Sequence, residues 1–490
     1  MMTAPQKGTW NWQHSYAEQL PPACYTLTDP SPVAEPRLHT FNADWADALG
    51  LGQLGTLPPE TLAAQLSGNT LPPGAMPLAM AYAGHQFGHL AALGDGRALL
   101  LGEHLDPQGV AHDIQLKGSG RTRYSRNGDG RAALGPMLRE FLISEAMAAL
   151  GIPTTRSLAV VETGETVLRT EPLPGAILVR TAASHLRVGT FVLFAALEDH
   201  DSLKALLDYT IARHYPDLSQ AEDPALALLK AVMARQAGLV ARWTALGFVH
   251  GVLNTDNVAL SGETIDYGPC AFIDRYHPAA VYSSIDSQGR YAFGQQAPIT
   301  GWNLTRFAES LLPLMGPHTK KSIERAESVL TGFEPAYESA WLGAMRPKFG
   351  IPNQDPDDKA LIDDWLKLLE THHVDYTNAF RALSGDAVAE SATLQHPDFS
   401  TWHRRLDDRL TKTDATLEQI QNLRDRHNPR NIPRNHAVQR ALDAAEAGDP
   451  KPFEKALQIL RRPFDVCLDE DAYAATPTNH EQVFTTYCGT

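Results

Sequence analysis

Cysteine is scarce in this chain, since only four of its 490 residues are cysteines. They are Cys24, Cys270, Cys467 and Cys488. Four thiols spread this widely provide neither the disulfide framework of a small secreted domain nor the close pairs of a structural zinc site. The cysteine pattern therefore excludes both classes of protein.

Long apolar runs are also missing. No stretch of about 18 uninterrupted apolar residues is present to span a bilayer. Residues 1–19 lack the basic start, apolar core and small-residue cleavage site of a secretory signal. We therefore expect no membrane partner and a cytoplasmic location.

Positive charge is in deficit, with 42 Lys and Arg against 57 Asp and Glu and a formal net charge of −15. Nucleic-acid binding requires a basic surface that displaces counterions, so we expect no nucleic-acid partner. With 43% hydrophobic and 20% charged residues the chain has a globular composition. Its length predicts several packed units, and we expect a monomer.

One catalytic residue is missing from an otherwise familiar motif. Protein kinases carry H-R-D-x-x-x-x-N, whose aspartate is the base and whose asparagine binds metal, followed by D-F-G with a second metal ligand. Here His250, Asn257 and Asp266-Tyr-Gly268 match, but Val252 occupies the position of the base. Because valine cannot accept a proton, either catalysis is lost or Asp256 has become the base. The residues between Asn257 and Asp266 predict a short hairpin.

The order of the predicted elements indicates an α+β fold with two lobes, like a protein kinase. Two apolar runs bounded by turn residues predict a hairpin, and the other elements follow from apolar periodicity and from Gly and Pro at the ends. The hairpin strands are 97–102 and 113–117, the later strands are 157–161, 166–168 and 176–180, and the helices include 59–66, 131–150, 224–246, 322–330 and 359–370.

Four regions follow from this order. Residues 1–79 are predicted to be an irregular N-terminal wrap, and residues 80–190 a strand-rich N-lobe. Residues 191–310 are predicted to be a helical C-lobe that contains the catalytic loop. Residues 311–490 are predicted to be a helical C-terminal extension.

A phosphate site is predicted around Lys117. This lysine ends a strand like the kinase V-A-I-K strand, and Glu140 on the following helix is its natural partner. Gly94, Gly96 and Arg97 occupy the place of the glycine-rich loop, where Arg97 can contact phosphate oxygens. A surface lysine and a plain Gly-Asp-Gly turn are the alternatives, and only the order of all the motifs favours the phosphate site.

Two further groups of arginines surround this site. Residues 118–131 hold Arg121, Arg123, Arg126 and Arg131 among glycines, which predicts a flexible basic lid for anionic oxygens. Arg180 and Arg187 add two positive groups beyond the usual ATP site of a kinase. Burial of the β- and γ-phosphates among them would leave the α-phosphate facing the acceptor, so that AMP is transferred and pyrophosphate leaves.

Asn257 and Asp266 are the predicted ligands of Mg²⁺ bridging the phosphates, because the ion prefers hard oxygen ligands. Asp256 is the predicted base for the attacking hydroxyl. Two alternatives stay open on these residues alone. One is a kinase that transfers the γ-phosphoryl group with Asp256 as base, and the other is an inactive nucleotide-binding scaffold.

The chain resembles the selenoprotein O (YdiU) protein adenylyltransferases over most of its length. The matching segments are Tyr82–Gly88, Leu93–Arg97, Gln115–Arg131, His250–Asn257, Asp266–Phe272 and Ser283–Asp286. The resemblance implies a pseudokinase-like fold that binds ATP in a flipped orientation and transfers AMP to Ser, Thr or Tyr hydroxyls of proteins. It also implies tolerance of Mn²⁺ and, for some bacterial members, transfer of UMP from UTP.

The resemblance assigns roles to individual residues. Asp256 is the implied proton acceptor, and Asn257 and Asp266 are the implied metal ligands. The implied nucleotide-binding residues are Gly94, Gly96, Arg97, Lys117, Asp129, Gly130, Arg180 and Arg187. Eukaryotic members end in Cys-x-x-selenocysteine, whereas this chain ends Tyr487-Cys-Gly-Thr490. Bacterial members imply a regulatory disulfide between Cys270 and Cys488, and two inert thiols are the alternative.

Overall fold

The amino-terminal half of the chain is dominated by strands. The computed structural model describes residues 10–316, 318–385, 392–466, 472–478 and 485–486. Within these ranges the strands are β1 (Trp12–Gln13), β2 (Tyr25–Leu27), β3 (Arg37–Phe41), β4 (Leu78–Met80), β5 (Ala83–Gln86), β6 (His89–Ala92), β7 (Ala98–Leu105), β8 (Ala111–Lys117), β9 (Ala132–Ala133), β10 (Arg156–Leu168), β11 (Pro172–Ala182), β12 (Phe248–Val249) and β13 (Ala271–Phe272).

The carboxy-terminal half is dominated by helices. In the described part of the chain the α-helices are α1 (Ser15–Gln19), α2 (Ala43–Ala48), α3 (Pro59–Leu66), α4 (Leu134–Ala149), α5 (Val188–Ala196), α6 (His200–His214), α7 (Pro224–Leu246), α8 (Gln296–Leu311), α9 (Thr319–Leu330), α10 (Phe333–Met345), α11 (Asp358–Thr371), α12 (Tyr376–Ala382), α13 (Pro397–Thr411), α14 (Leu417–His427), α15 (Asn435–Glu446) and α16 (Lys451–Leu460). The predicted α+β class, with a strand-rich first half and a helical second half, is confirmed.

One antiparallel sheet forms the core of the first half, in the order β2-β4-β7-β8-β11-β10-β3, with β1 on β7 and β9 on β11. The predicted hairpin is confirmed as β7 and β8, in which Leu99 faces Leu116. The two predicted strands at 157–161 and 166–168 are parts of the single strand β10, which pairs irregularly with β11 between Glu162 and Thr166. Strands β2 and β3 come from the segment predicted to be irregular.

Helix α4 packs against β10 and β11 and lies almost wholly inside the protein. Phe141 and Leu142 are fully buried. Their burial anchors the helix and so fixes the position of the Glu140 side chain. Helices α15 and α16 also pack on α4, and Glu446 accepts a hydrogen bond from Gly135 N at 2.9 Å. The last helices of the described chain therefore brace the helix that carries Glu140.

Helix α7 runs through the core of the second half and has the predicted bounds. Asp223 caps its first turn by accepting from Leu226 N at 3.0 Å, Pro224 occupies the first turn, and Gly247 ends the helix in a left-handed conformation. It is the single described helix long and apolar enough to cross a membrane. Because it packs against α8 and α10, it is the core helix of a folded unit.

A separate aromatic core supports the helices after α9. Trp365, Trp402 and Phe349 are buried at its centre, and the centroids of the two indole rings lie 4.3 Å apart. Lys348, next to Phe349, is buried over the ring of Phe380. The predicted helices at 322–330 and 359–370 are confirmed as parts of α9 and α11.

The hairpin predicted between Asn257 and Asp266 is wrong. Its first arm hydrogen-bonds to residues 186–188, since Val188 N donates to Val258 O and Leu260 N donates to Leu186 O. Its second arm hydrogen-bonds to residues 153–155 through Thr264. Apolar residues on both sides of a turn allow the two arms to pair with each other or with other segments. Here each arm pairs with a distant segment of the chain.

Candidate active site

A cleft of about 830 Å³ lies between the sheet and the helical half. The predicted base, metal ligands and nucleotide-binding residues, together with Glu140, all line it. They are Gly94, Gly96, Arg97, Lys117, Asp129, Gly130, Glu140, Arg180, Arg187, Asp256, Asn257 and Asp266. The cleft thus brings together residues separated by up to 172 positions in the chain, from Gly94 to Asp266.

Lys117 and Glu140 form the predicted ion pair. The Nζ of Lys117, at the end of β8, lies 2.6 Å from Oε2 of Glu140, on α4. Both side chains are buried, so removal of one would leave the other as an unpaired charge. Burial acts to raise the pKa of Glu140, but Lys117 and Arg180 bring it below its ordinary value. The carboxylate therefore stays ionised and holds the cation in place.

Three cations converge on the carboxylate of Asp266. Lys117 Nζ lies 2.9 Å and Arg180 Nη1 2.7 Å from its Oδ1, and Arg187 Nη1 lies 2.6 Å from its Oδ2. Burial alone would raise the pKa of Asp266, but the three cations bring it well below its ordinary value. With Glu140 included, three buried positive groups face two carboxylates. The cluster has a net positive charge, as a phosphate site requires.

Asp266 has a left-handed backbone, with φ of 62°. Left-handed geometry is uncommon for residues other than glycine, and Asp and Asn tolerate it best. The conformation turns the carboxylate into the cleft at the start of the Asp266-Tyr-Gly268 motif. Strain of this kind is typical of functional sites.

Asp256 lies on the one-turn helix Thr255–Asn257, with its side chain buried in the cleft wall. Arg187 Nη1 donates to its backbone oxygen at 2.7 Å, but none of the described residues donates a hydrogen bond to its Oδ1. Burial raises the pKa of Asp256 to about 6, despite the opposing effect of Arg187. A carboxylate with a free oxygen and a pKa near neutrality suits a general base.

The catalytic loop is held by His250 and Asn257. His250 is buried and its Nε2 lies 2.9 Å from the carbonyl oxygen of Ile265, which ties the loop to the residue before Asp266. The side-chain Nδ2 of Asn257 donates to Val252 O at 2.7 Å. This bond fixes the orientation of the amide and leaves its Oδ1 for a ligand. Asn257 and Asp266 line one cleft, and their side-chain oxygens are of the type that binds a hard divalent cation.

Asp95, in the loop of residues 94–97, and Gln115, on β8, were missed by the sequence reasoning. Asp95, between Gly94 and Gly96, is buried, and its Oδ2 accepts from Met80 N and from Gln115 Nε2, both at 3.1 Å. Gln115 in turn accepts from Arg180 Nε at 2.7 Å. Burial raises the pKa of Asp95 to about 6. These hydrogen bonds, from Asp95 through Gln115 to Arg180, orient the guanidinium group of Arg180. The sequence signal for this series was the presence of the polar residues Gln115 and Arg180 within apolar strands.

The predicted basic lid contributes less charge to the cleft than expected. Arg126 and Arg131 line the cleft, but Arg121 and Arg123 are not among its lining residues. Arg131 donates to the backbone oxygens of residues 31 and 32, at 3.1 and 2.9 Å, and so attaches the lid to the N-terminal segment. The lid is therefore anchored to the body of the protein.

Asp129 and Gly130 shape the end of the lid. The Oδ2 of Asp129 lies 2.9 Å from Nη1 of Arg169, an arginine of the cleft that the sequence reasoning missed. Gly130 has φ of 72°, and a Cβ there would lie 2.1 Å from the carbonyl carbon of Gly120. This position consequently requires glycine.

Cys270, two residues after Gly268, is fully buried. Burial raises the pKa of its thiol to about 11, which makes the thiolate scarce at neutral pH. Cys467 and Cys488 lie outside the described residues. The disulfide between Cys270 and Cys488 therefore stays a prediction.

Comparison with known proteins extends the likeness over almost the whole chain. A family model described as "Protein adenylyltransferase SelO" matches residues 10–461. A protein nucleotidyltransferase YdiU of Brevibacillus brevis is 52% identical over 482 residues, which cover 98% of each chain. Proteins of the same name from Anoxybacillus flavithermus and Syntrophotalea carbinolica are 52% and 50% identical, each over 98% of this chain and over 99% and 98% of their own.

Proposed function

The chain belongs to the SelO family of protein adenylyltransferases, and from this premise we propose that Asp256 is the base with which it transfers AMP to protein hydroxyl groups. The enzyme is a protein nucleotidyltransferase. Ser, Thr and Tyr hydroxyls are the proposed acceptors and ATP the proposed donor, with UTP as a second donor. We also propose a cytoplasmic monomer.

The observation that carries this proposal is the presence of a cation cluster and the carboxylate of Asp256 in one cleft. Lys117, Arg180 and Arg187 supply more positive charge than Glu140 and Asp266 neutralise. Such a cluster, shielded from water, binds the β- and γ-phosphates strongly. Asp256, whose Oδ1 accepts no hydrogen bond from the described residues, lies in the wall of the same cleft.

The chemical step follows from this arrangement. Asp256 takes the proton of the acceptor hydroxyl as its oxygen attacks the α-phosphorus. A new P–O bond forms to the acceptor, the P–O bond between the α-phosphorus and the β-phosphate breaks, and pyrophosphate leaves with the electron pair. Lys117, Arg180 and Arg187 stabilise the negative charge that develops on the leaving group.

Asn257 and Asp266 are the proposed ligands of Mg²⁺ or Mn²⁺. When bound, the cation neutralises phosphate charge and orients the phosphate chain. The hydrogen bond from Asn257 Nδ2 to Val252 O supports this role, because it orients the amide through its nitrogen and not through its oxygen. Asp266 contributes carboxylate oxygens that, without nucleotide, are paired with Lys117 and the two arginines.

A kinase-like arrangement is proposed for the two halves of the fold, with residues 80–190 as the N-lobe and 191–310 as the C-lobe. The Lys117–Glu140 pair between strand and helix supports this assignment. Residues 1–79 and 311–490 are the proposed wrap and helical extension. The Val252 side chain argues against γ-phosphoryl transfer, because it cannot accept a proton at the kinase position.

Labelled ATP tests the proposed reaction. The purified enzyme, Mg²⁺ and an acceptor protein are incubated with ATP labelled at either the α- or the γ-phosphate. Stable label on protein from α-labelled ATP alone is the expected result. Transfer of the γ-label would indicate a kinase, and transfer of neither label would indicate a nucleotide-binding scaffold.

A further inference from the structure

Two of the segments that resemble the family, Tyr82–Gly88 and Ser283–Asp286, have no role in the proposed chemistry. Both reach the catalytic loop, from opposite directions in the chain. The first contains β5, which pairs with β6 in a two-stranded hairpin separate from the N-terminal sheet. The second opens a turn that ends at Tyr291. They meet at Asn254 and Thr255, the two residues before the proposed base.

The hairpin holds Thr255. The backbone N–H of His85 donates to Thr255 Oγ1 at 2.8 Å, and His85 Nδ1 lies 3.2 Å from the same oxygen. Thr255 is fully buried, so its hydroxyl has no water as a substitute partner. At Gly84 a Cβ would lie 2.1 Å from Asp256 Oδ1, which shows how closely the hairpin backbone covers the carboxylate.

The turn holds Asn254. Asp286 accepts hydrogen bonds from Arg290 N at 2.9 Å and from Tyr291 N at 2.8 Å, which fixes the start of the turn that carries Tyr291. The hydroxyl of Tyr291 then donates to Asn254 Oδ1. The ring of Tyr291 also packs against Phe87 of the hairpin, with centroids 5.2 Å apart. The two segments therefore support each other as well as the loop.

These contacts matter because Asp256 has little else to orient its carboxylate. A catalytic carboxylate is usually held by hydrogen bonds to one of its oxygens. Here Oδ1 has no donor among the described residues. Its position is consequently set by the backbone of residues 254–256 and by close packing. Fixing the side chains of Asn254 and Thr255 restricts that backbone.

We propose that the hairpin β5–β6 and the turn 286–291 form a clamp that positions Asp256 for proton transfer. Thr255, Asn254, His85 and Tyr291 are positioning residues in this clamp, and they act through Asp256. The inference rests on the proposed function, because it requires Asp256 to be the base. Since the hairpin belongs to the N-terminal half and the loop to the helical half, the clamp also ties the geometry of the base to the closure of the cleft.

The isosteric substitution Thr255→Val removes the hydroxyl and keeps the volume, whereas Thr255→Ser keeps the hydroxyl. We expect Thr255→Val to lower kcat for AMP transfer by about tenfold or more, because small misplacements of a catalytic group are costly. KM for ATP should stay within about twofold, since the Thr255 hydroxyl bonds to His85, outside the cation cluster. Thr255→Ser should restore most of kcat. Thr305→Val, whose hydroxyl bonds within α8, is the matched control and should leave kcat unchanged.

The double variant separates a positioning role from a general loss of structure. In an Asp256→Ala background, where transfer is slow, Thr255→Val should cause no further decrease, because the clamp acts through Asp256. The clamp would be overturned if Thr255→Val lowered kcat for AMP transfer equally in the wild-type and Asp256→Ala enzymes. It would also be overturned if Thr255→Val alone left kcat within about twofold of the wild type. Tyr291→Phe gives an independent reading if Thr255→Val folds poorly by thermal melting. Full activity of Asp256→Ala alone would instead refute the base assignment, and the positioning role would go with it.

Discussion

The Nζ of Lys117 lies 2.9 Å from Oδ1 of Asp266, although 149 positions separate them in the chain. One partner ends a strand of the N-terminal sheet, and the other begins the motif after the catalytic loop. The two residues form an ion pair in the cleft, between a proposed phosphate-binding residue and a proposed metal ligand. A metal ion held by Asp266 would compete with Lys117 for this carboxylate oxygen.

Asp266→Ala should weaken metal-dependent nucleotide binding by an order of magnitude or more. The change removes a metal ligand, leaves Lys117 and Arg180 with Glu140 as their carboxylate partner, and removes the ion pair of Arg187. Calorimetric titration with ATP, with and without Mg²⁺, measures the effect. Asp266→Ala binding that responds to Mg²⁺ as the wild type does would contradict the assignment.

Val252→Asp should not convert the enzyme into a kinase. The substitution restores a carboxylate at the kinase position, but the cations that hold the phosphates remain those of the cleft described above. We expect no transfer of label from γ-labelled ATP. A melting curve shows whether the variant is folded, and appearance of γ-label on protein would show that the missing base alone defines the reaction.

The rate of AMP transfer should rise with pH through the titration of Asp256. Burial raises the pKa of Asp256 to about 6, and a base must be deprotonated to act. Below this pH the carboxyl is protonated and transfer is slow, whereas above it the rate levels off. A profile of kcat/KM from pH 5 to 8 tests this, provided that thermal melting shows the enzyme folded throughout. A rate independent of pH over this range would argue against Asp256 as the base.

Lys348→Met should stabilise the protein, and the gain should depend on pH. Burial lowers the pKa of Lys348 to about 7, so between about 7 and the ordinary value near 10.5 the unfolded chain holds a proton that the folded protein lacks. Stability of the wild type therefore rises with pH across this window, and the cost of the buried charge is greatest below it. We expect a gain on the order of 1–3 kcal/mol at pH 6 that shrinks toward pH 10.

The control for this prediction is Lys359→Met on the surface of α11. Lys359 pairs with Asp363 at 2.8 Å, and both side chains are nearly half exposed. Its removal should change stability little and with no increase at low pH. Chemical denaturation at several pH values compares the two variants. An equal response of both would show that burial of Lys348 is not the cause.

The sequence predicted those parts of the fold and site whose signals are local or ordered along the chain. Helix α7 was predicted with its observed bounds because Pro224 suits its first turn and Gly247 follows its end. The Lys117–Glu140 pair followed from the order of kinase-like motifs, and the two side chains do meet at 2.6 Å. These features depend on few long-range contacts or on motifs with fixed roles.

The features that sequence reasoning missed depend on distant partners. Strand β3 pairs with β10 across more than 100 positions, so nothing in its own sequence distinguishes it from a loop. The arms of the predicted hairpin after Asn257 pair with residues 153–155 and 186–188 for the same reason. The role of Asp95 was missed because it depends on Gln115, a polar residue of β8 whose side chain is buried.

The most direct test of the account measures the intact mass of an acceptor protein after incubation with ATP and Mg²⁺, using the wild-type enzyme and Asp256→Ala. The account predicts a mass increase equal to AMP with the wild type and only a small fraction of this adduct with Asp256→Ala in the same time, while ATP binding by the variant is retained. An increase equal to a phosphate group, or an AMP adduct formed equally well by Asp256→Ala, would contradict it.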